Sequence, residues 1–220
     1  MCGAPPLKKS HLTKRVEWAQ EKLTFGEKWK KVIFSDEKKF NLDDPDGFKY
    51  YWHDLRKEKK TFSQRVHGGG SVMLWAAFGF NGKSQIEFIS SKMNSEDYQK
   101  VLEEYLIPVA STISDRGWIF QQDNAPIHVS ESTKTWMQRK KMRVLDWPAC
   151  SPDLNPIENL WGIIARRVYA NGNQYRNVEE LKESILKVWE EISIEELQRL
   201  HNSVLTRIAT VATNGGKFIK

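Results

Sequence analysis

Residues 118–128 read WIFQQDNAPIH and place an acidic residue, Asp123, directly after a short apolar run. This run, residues 118–122, has the length and composition of a buried strand. Residues 32–37, VIFSDE, and residues 151–161, SPDLNPIENLW, also place an acid at the end or the start of a regular element. Because acids at the ends of separate elements can converge in a fold, the three segments predict a shared site.

The three acids are Asp36, Asp123 and Glu158, with 86 residues between the first two and 34 between the last two. On the first strand Val32, Phe34 and Asp36 have the same parity, so the acid faces the same side as two apolar side chains. An acid that points inward needs a partner, and a metal ion is one such partner. Three converging carboxylates are what a pair of Mg²⁺ ions needs for phosphodiester chemistry.

Each acid taken alone also has a plainer structural interpretation. Asp36 is compatible with an ordinary strand-end residue, and Asp123 with a turn, since Asp-Asn before Ala-Pro favours turns. For Glu158 the alternative is helix capping: with Asn155 as N-cap and a proline after it, Glu158 occupies the reciprocal position of a capping box. Asp153 is a further candidate acid in the same loop. The sequence leaves these alternatives open.

The composition favours one domain with a basic surface. The chain has 220 residues, of which 40% are hydrophobic, and nine tryptophans, enough for a sizeable core. The net charge of +6 mildly favours a polyanionic partner, and a protein that is simply basic is the alternative. Cys2 and Cys150 suggest neither a disulfide framework nor a zinc site. Two thiols so far apart point to a reducing compartment. No apolar run approaches the ~20 residues of a membrane span and the first ten residues lack the apolar core of a signal peptide, so we expect the cytosol or the nucleus.

The pattern along the chain predicts a mixed sheet with helices on both faces. Ser10 is placed to cap a helix that ends near Leu23, and Asp46-Gly47 and Asn81-Gly82 are hairpin signals. The other expected elements are meander strands within 32–43, 48–53 and 71–90, strands at 118–122 and 142–147, helices at 95–111 and 128–138, and helices that open at Asn155, at Asn177 with Glu180, and at Ser193 with Glu196.

Four motifs in this order resemble the catalytic domain of cut-and-paste DNA transposases of the mariner/Tc superfamily. They are FSDE at 34–37, HGGGSVMLW at 67–75, QDNAPIH at 122–128 and WPACSPDLNPIENLW at 147–161. The 34-residue gap between the second and third acids resembles the Tc-type branch, whose third acid is Glu. The resemblance covers nearly the whole chain.

The resemblance implies an α/β, ribonuclease-H-like fold: a central mixed five-stranded sheet flanked by helices, with a clamp-loop insertion. It implies that Asp36, Asp123 and Glu158 are the catalytic residues and the ligands of two Mg²⁺ ions, for which Mn²⁺ can substitute. The implied reaction is hydrolysis at transposon ends, followed by attack of the freed 3′-OH on target DNA at TA sites. Its implied organisation is a connector arm and helix at 1–30, a catalytic domain at 31–170 with the clamp loop at about 53–70, and C-terminal helices at 171–220 packed on the same domain.

The implied partners are double-stranded DNA, as transposon ends and as target, and a second copy of the chain in the DNA complex. No membrane is implied, and the location is the nucleus. Candidate DNA contacts are the basic and glycine residues of the clamp loop and two residues near Asp123; they are Arg56, Lys57, Lys59, Lys60, Arg65, His67, Gly68, Gly69, Gly70, Asn124 and His128. A solvated loop with a glycine hinge is the alternative for the loop. His128 has two further possible roles, orienting a carboxylate or a purely structural one.

Two other functions remain open from the sequence. One is a catalytically silent or repurposed DNA-binding or assembly module derived from a transposase. The other is a ribonuclease that acts on RNA–DNA hybrids, which the SPDLNPIE motif at 151–158 disfavours. Full-length members of the family carry two N-terminal helix-turn-helix modules, for which there is no room before Asp36. We therefore expect an excised or truncated catalytic domain that does not bind inverted repeats specifically.

Overall fold

The computed structural model describes residues 6–43 and 70–219. The hairpin expected at Asp46-Gly47, the strand expected at 48–53 and all of the clamp loop except Gly70 lie outside these residues. The described elements are α1 Lys9–Lys22, β1 Val32–Asn41, β2 Ser71–Gly79, β3 Gly82–Lys83, β4 Glu87–Ile89, α2 Ser95–Val101, α3 Ala110–Ile113, β5 Ile119–Gln121, α4 Glu131–Arg139, α5 Ile157–Val168, α6 Val178–Glu190 and α7 Ile194–Thr213.

The sheet is mixed and has five strands in the described part of the chain, in the order β3-β2-β1-β5, with β4 also paired to β2. The long β1 and β2 run antiparallel, with Asp36 opposite Ala76. On its other side β1 pairs in parallel with β5, where Phe34 lies opposite Gln121. Strand β1 therefore lies between β2 and β5, and the second acid of the predicted site, Asp123, follows the end of β5.

Alternating side chains of the sheet supply two separate cores. Val32 and Phe34 belong to a core that α1, α5, α6 and α7 cover, whereas Ile33 belongs to a core that α2 and α4 cover. This alternation follows from the two-residue period of a strand, which sends successive side chains to opposite faces. The predicted arrangement, a mixed sheet with helices on both faces, is confirmed.

Two elements differ from the predictions. The helix expected over 95–111 is broken into α2, a π-helical segment Leu102–Leu106 and the short α3. Pro108 lies between the last two and has no N–H to continue a helical ladder. The strand expected over 142–147 is wrong: it is reduced to a single parallel bridge between Phe120 and Val144.

The observed ends of helices and turns test the capping and hairpin signals that the sequence offers. Helix α1 begins after Lys8, so the expected cap at Ser10 is wrong. The turn between β2 and β3 consists of Phe80 and Asn81, one residue earlier than the Asn81-Gly82 signal indicates. The caps of the last two helices are confirmed: Asn177 Oδ1 accepts from the N–H of Glu180 at 2.9 Å, and Ser193 opens a capping box with Glu196.

No helix within residues 6–43 and 70–219 has both the length and the apolar character needed to cross a membrane.

Candidate active site

The pairing of β1 with β5 brings Asp36 and Asp123 to the same edge of the sheet. Phe34 lies opposite Gln121, and each acid follows two residues later on its own chain. Side-chain bonds reinforce the register, because Ser35 Oγ donates to the carbonyl of Gln121 at 2.9 Å. Parallel strands are about 4.8 Å apart, so the two acids lie on neighbouring chains. Asp36 lies inside β1 and not at its end, so its interpretation as a strand-end residue is wrong, whereas Asp123 follows the end of β5.

Helix α5 brings Glu158 to the same edge. Buried Asn155 ties the start of the helix to β1, because its Nδ2 donates to the carbonyl of Ser35 at 3.1 Å and its Oδ1 accepts from the N–H of Ile157 at 3.2 Å. One turn after Glu158, Trp161 Nε1 donates to Asp36 Oδ2 at 3.2 Å. Residues three apart share a helix face, so Glu158 and Trp161 both face the middle of β1, where Asp36 lies.

The capping-box alternative for Glu158 is wrong. The N-cap of α5 is Pro156 rather than Asn155, and Glu158 is the second helical residue. The backbone N–H of Asn155 donates to the carbonyl of Pro152 at 3.0 Å, so it is already bonded without Glu158. The carboxylate of Glu158 is therefore free of the structural role that the sequence offered it.

The charges of the three acids interact. Burial, and then the negative charges of Glu158, Glu37 and Asp123, raise the pKa of Asp36 well above its usual value. Burial also raises the pKa of Glu158, as does Asp123, while Lys38 acts in the opposite direction. Like charges that share a site disfavour ionisation, so this edge of the sheet favours a compensating cation.

Asp123 is held by its own neighbours. His128 Nδ1 lies 2.6 Å from Asp123 Oδ1, which also accepts from the N–H of Ala125 at 2.8 Å. Burial acts to raise the pKa of Asp123, but these two bonds outweigh it and the pKa is lowered. The sequence left open whether His128 orients a carboxylate, and the structure places it in that contact.

His128 also connects Asp123 to β1. Its Nε2 lies 3.4 Å from Glu37 Oε1, an ion-pair distance without the geometry of a hydrogen bond. Burial acts to lower the pKa of His128, but the carboxylates of Asp123 and Glu37 outweigh it and raise the pKa to about 9. The ring packs on Tyr98 with 4.1 Å between ring centroids. Sequence reasoning assigned no role to Glu37, since no local signal links it to residue 128.

The acids are close enough to affect one another electrostatically without forming a ready ligand cluster. Among residues 6–43 and 70–219, no three His, Cys, Asp or Glu side chains are already spaced to hold a metal ion. The types of donor nevertheless fit a hard divalent cation, which prefers carboxylate oxygens.

Asp153, the other acid of the SPDLNPIE motif, has a different environment. The guanidinium of Arg15 forms two bonds to its carboxylate, at 2.8 and 2.6 Å, and Ile219 N–H donates to the same group at 3.0 Å. A carboxylate with these partners is already neutralised. It is a structural group rather than a member of the acidic edge, which is the cluster of Asp36, Asp123 and Glu158.

Two of the candidate DNA contacts have structural roles. Asn124 Nδ2 donates to the carbonyl of Trp147 at 2.9 Å and ties the turn after β5 to the next loop. At Gly70 an added Cβ would lie 3.0 Å from Val178 Cγ2 and 3.3 Å from Leu42 Cδ1. Close packing therefore explains this glycine. The candidates from Arg56 to Gly69 lie outside the described residues.

Solved structures of a transposase have a similar fold. A Mos1 transposase paired-end complex with left transposon end superposes with a TM-score of 0.84 at 19% identity, covering 98% of this chain and 65% of that one. The Mos1 mariner paired end complex with Mn gives 0.82 at 19% identity, covering 100% of this chain and 67% of that one. The described part of the chain thus has the ribonuclease-H-like α/β fold that the motifs implied.

Sequence relatives define the family. The DDE superfamily endonuclease family matches residues 31–182. The Tc3 transposase of Caenorhabditis elegans is 52% identical over 216 residues, which are 98% of this chain and 65% of the relative. The Tcb2 transposase of Caenorhabditis briggsae is 37% identical, covering 95% of this chain and 79% of the relative. The chain belongs to the DDE superfamily endonucleases and, within them, to the Tc-type transposases. It spans about two thirds of the length of the Tc3 relative.

Proposed function

We propose that this chain is the catalytic domain of a metal-dependent DNA transposase that cleaves transposon ends and joins the freed 3′-OH to target DNA. The observation that carries the proposal is the cluster of acids beside the middle of β1, where Glu158 and Asp123 raise the pKa of partly buried Asp36. Such a cluster opposes its own ionisation and gains from a bound cation.

Asp36, Asp123 and Glu158 would hold the divalent ions. Bound there, Mg²⁺ or Mn²⁺ would activate water or a DNA 3′-OH and stabilise the leaving oxygen, the chemistry of a two-metal site. Solved relatives in fold are described with Mn and with Mg, which supports a divalent cation. That two ions bind is part of the proposal.

The chain's own residues prepare this site before DNA arrives. Trp161 Nε1 holds one oxygen of Asp36, and His128 holds one oxygen of Asp123. Both contacts of Asp123 are made by Oδ1, which leaves Oδ2 for a ligand. Asn155 fixes the start of α5 on β1 and so limits where Glu158 can reach. Groups that orient ligands in this way tune metal affinity.

Double-stranded DNA is the proposed substrate and a second copy of the chain the proposed partner in the DNA complex. A fold relative in complex with a transposon end supports the DNA assignment. The net charge of +6 supports a polyanionic partner. Target joining at TA sites and a nuclear location belong to the same proposal.

Nicking of supercoiled plasmid DNA by the 220-residue chain in Mn²⁺ tests the proposal. We expect nicking that chelation abolishes and that is lost in Asp36→Asn, Asp123→Asn and Glu158→Gln. The control is Asp115→Asn, since Asp115 is an exposed acid whose contact is to Asn81. Nicking retained in Asp36→Asn would contradict the assignment.

The same preparation separates the two other functions that the sequence left open. A silent binding module would retain plasmid in a mobility-shift assay without nicking it, in the parent chain and in all variants alike. A ribonuclease would cleave the RNA strand of an RNA–DNA hybrid and leave plasmid DNA intact. Either result would replace the proposed function.

A further inference from the structure

We propose that Arg15 and Arg207 are positioning residues for Glu158, which clamp the segment 153–159 from two sides. This inference rests on the proposed function, in which Glu158 is a metal ligand. The two arginines come from α1 and α7, far from the segment in sequence. Neither residue belongs to the motifs that carry the family resemblance.

Arg15 is a fully buried cation with an extensive set of acceptors. Besides its two bonds to Asp153, it donates from Nη1 to Ser151 Oγ at 2.7 Å and from Nε to the carbonyl of Gly216 at 2.8 Å. A planar guanidinium with a bidentate carboxylate partner fixes direction as well as distance. Arg15 therefore joins the start of the loop to α1 and to the C-terminal segment.

Arg207 spans the residues on both sides of Glu158. Its Nη1 donates to the carbonyl of Asp153 at 2.7 Å, and its Nη2 donates to Asn159 Oδ1 at 2.8 Å. Its Nε donates to Ser203 Oγ at 3.0 Å, which holds the guanidinium on α7. One side chain thus connects the loop before α5 to the first turn of α5.

The segment between these two anchor points has little freedom left. Leu154 is fully buried and Asn155 is bonded to β1. Glu158 therefore sits on a short segment whose two ends are both held by α7, and whose start is also held by α1. We infer that loosening either arginine lets α5 shift at its first turn, which moves Glu158 relative to Asp36.

Arg15→Lys and Arg207→Lys are the informative variants, because lysine keeps the charge and loses the fork of donors. The matched control is Arg167→Lys. Arg167 lies in the last turn of α5 and pairs with Glu196, so it also joins α5 to α7, but away from Glu158. If Arg15→Lys fails to fold, the more exposed Arg207 keeps the inference testable.

The first readout is amide hydrogen exchange in the metal-free chain. We expect faster exchange over residues 154–160 in Arg15→Lys and Arg207→Lys than in the parent chain, and unchanged exchange there in Arg167→Lys. Unchanged exchange in Arg207→Lys would overturn the inference. This readout needs neither metal nor DNA.

The second readout is the dissociation constant for Mn²⁺, measured well below the unfolding temperature of each variant. Loss of an outer partner of a metal ligand weakens binding by about 10-fold to 100-fold. Because the arginines hold the segment and not the carboxylate of Glu158 itself, we expect the lower end of that range, about 10-fold, for both variants. An equal loss in Arg167→Lys would show a general loosening and overturn the inference.

The two readouts separate failure of the inference from failure of the proposed function. If the parent chain binds no Mn²⁺, the proposed function fails, and hydrogen exchange alone decides whether the arginines hold the segment. If the parent binds Mn²⁺ and both variants bind it equally well, the function stands and the positioning role is overturned.

Discussion

At Asp36 the protein keeps a carboxyl group in an environment that disfavours its charge. Burial and the neighbouring Glu158, Glu37 and Asp123 all raise its pKa. The indole of Trp161 donates one hydrogen bond, and the backbone hydrogen bond from Glu37 lowers the pKa, but together they compensate only in part. A site of this kind is unfavourable for folding and useful only with a ligand, as is common at active sites.

Replacement of this acid by its amide should therefore stabilise the metal-free chain. In Asp36→Asn at pH 7 the amide oxygen still accepts from Trp161, while the charge repulsion is gone. We expect the unfolding temperature to rise by about 2–4 °C, the shift that ~1 kcal/mol gives in a chain of this size. Calorimetry without divalent ions, with Asp115→Asn as control, measures it; a lower unfolding temperature would contradict the electrostatic account.

Single residues differ in how far the sequence reveals them. Asp123 follows an apolar run, so its place after the end of β5 can be predicted from local pattern, whereas Asp36 follows a similar run and yet lies inside β1. The pairing of Arg15 with Asp153 joins residues 138 apart in sequence and has no local signal. The sequence presents Asp153 as a further candidate acid. Its structural role becomes visible only in the structure, where buried Arg15 binds its carboxylate.

Among the elements, the start of α5 depends on one amide side chain. Asn155 satisfies the carbonyl of Ser35 and the N–H of Ile157, both in buried positions. An unsatisfied buried polar group costs about 1–3 kcal/mol, so we expect Asn155→Ala to lower the free energy of unfolding by about 2 kcal/mol or more.

Urea unfolding measures this change. The control is Asn173→Ala, because Asn173 makes an exposed bond to Tyr175 and surface changes usually stay within about 0.5 kcal/mol. A loss for Asn155→Ala no larger than that of the control would show that the attachment of α5 to β1 does not depend on this amide.

Helix α7 is attached to β1 by a neutral histidine. His201 Nε2 lies 3.1 Å from the carbonyl of Val32, which can only accept, so this nitrogen carries the proton. The ring packs against Phe34 and Phe80, with centroids 5.4 and 5.5 Å away. Burial lowers the pKa of His201 from 6.5 to about 4, only partly offset by this bond.

This contact predicts a specific pH dependence of stability. Between pH 6.5 and about 4 the unfolded chain binds a proton at His201 and the folded chain does not, so stability is lost as pH falls through this window. We expect a contribution on the order of 3 kcal/mol at pH 4, relative to pH 7. Urea unfolding of the parent chain and of His201→Gln measures it, and the two curves should converge at low pH. Parallel pH profiles would contradict the prediction.

The elements also show where sequence patterns stop being informative. Capping signals at Asn177 and Ser193 are local and gave the correct helix starts. The run 142–147 has apolar residues but only one bridge to β5, and whether such a run pairs depends on the neighbour that tertiary packing offers. In the helix predicted over 95–111, apolar residues recur at helical spacing beyond residue 101. That spacing takes no account of Pro108, so it does not reveal that the helix is broken.

For the whole molecule, the excess of basic residues predicts a salt-dependent affinity for DNA. With a net charge of +6, binding of the 220-residue chain to duplex DNA should release counterions. Each neutralised phosphate contributes about 0.9 to the slope of log K against log salt, so three contacts give a loss above ~10-fold between 50 and 200 mM. Fluorescence anisotropy with two unrelated duplexes measures this affinity.

An affinity independent of salt would contradict an electrostatic mode of binding. A strong preference for one duplex would contradict the expected lack of sequence specificity.

The bond from Arg15 to the carbonyl of Gly216 spans 201 residues, nearly the whole chain. During synthesis on a ribosome, the residues that bind this buried cation leave the exit tunnel in sequence order. The carbonyl of Gly216 therefore emerges long after the strands of the sheet. A nascent chain can form β1, β2 and β5 while the segment that carries Glu158 still lacks its anchor to α7, because Arg207 has not yet emerged. The segment is therefore held at both ends only after residues 207 and 216 have left the exit tunnel, late relative to the sheet that it faces.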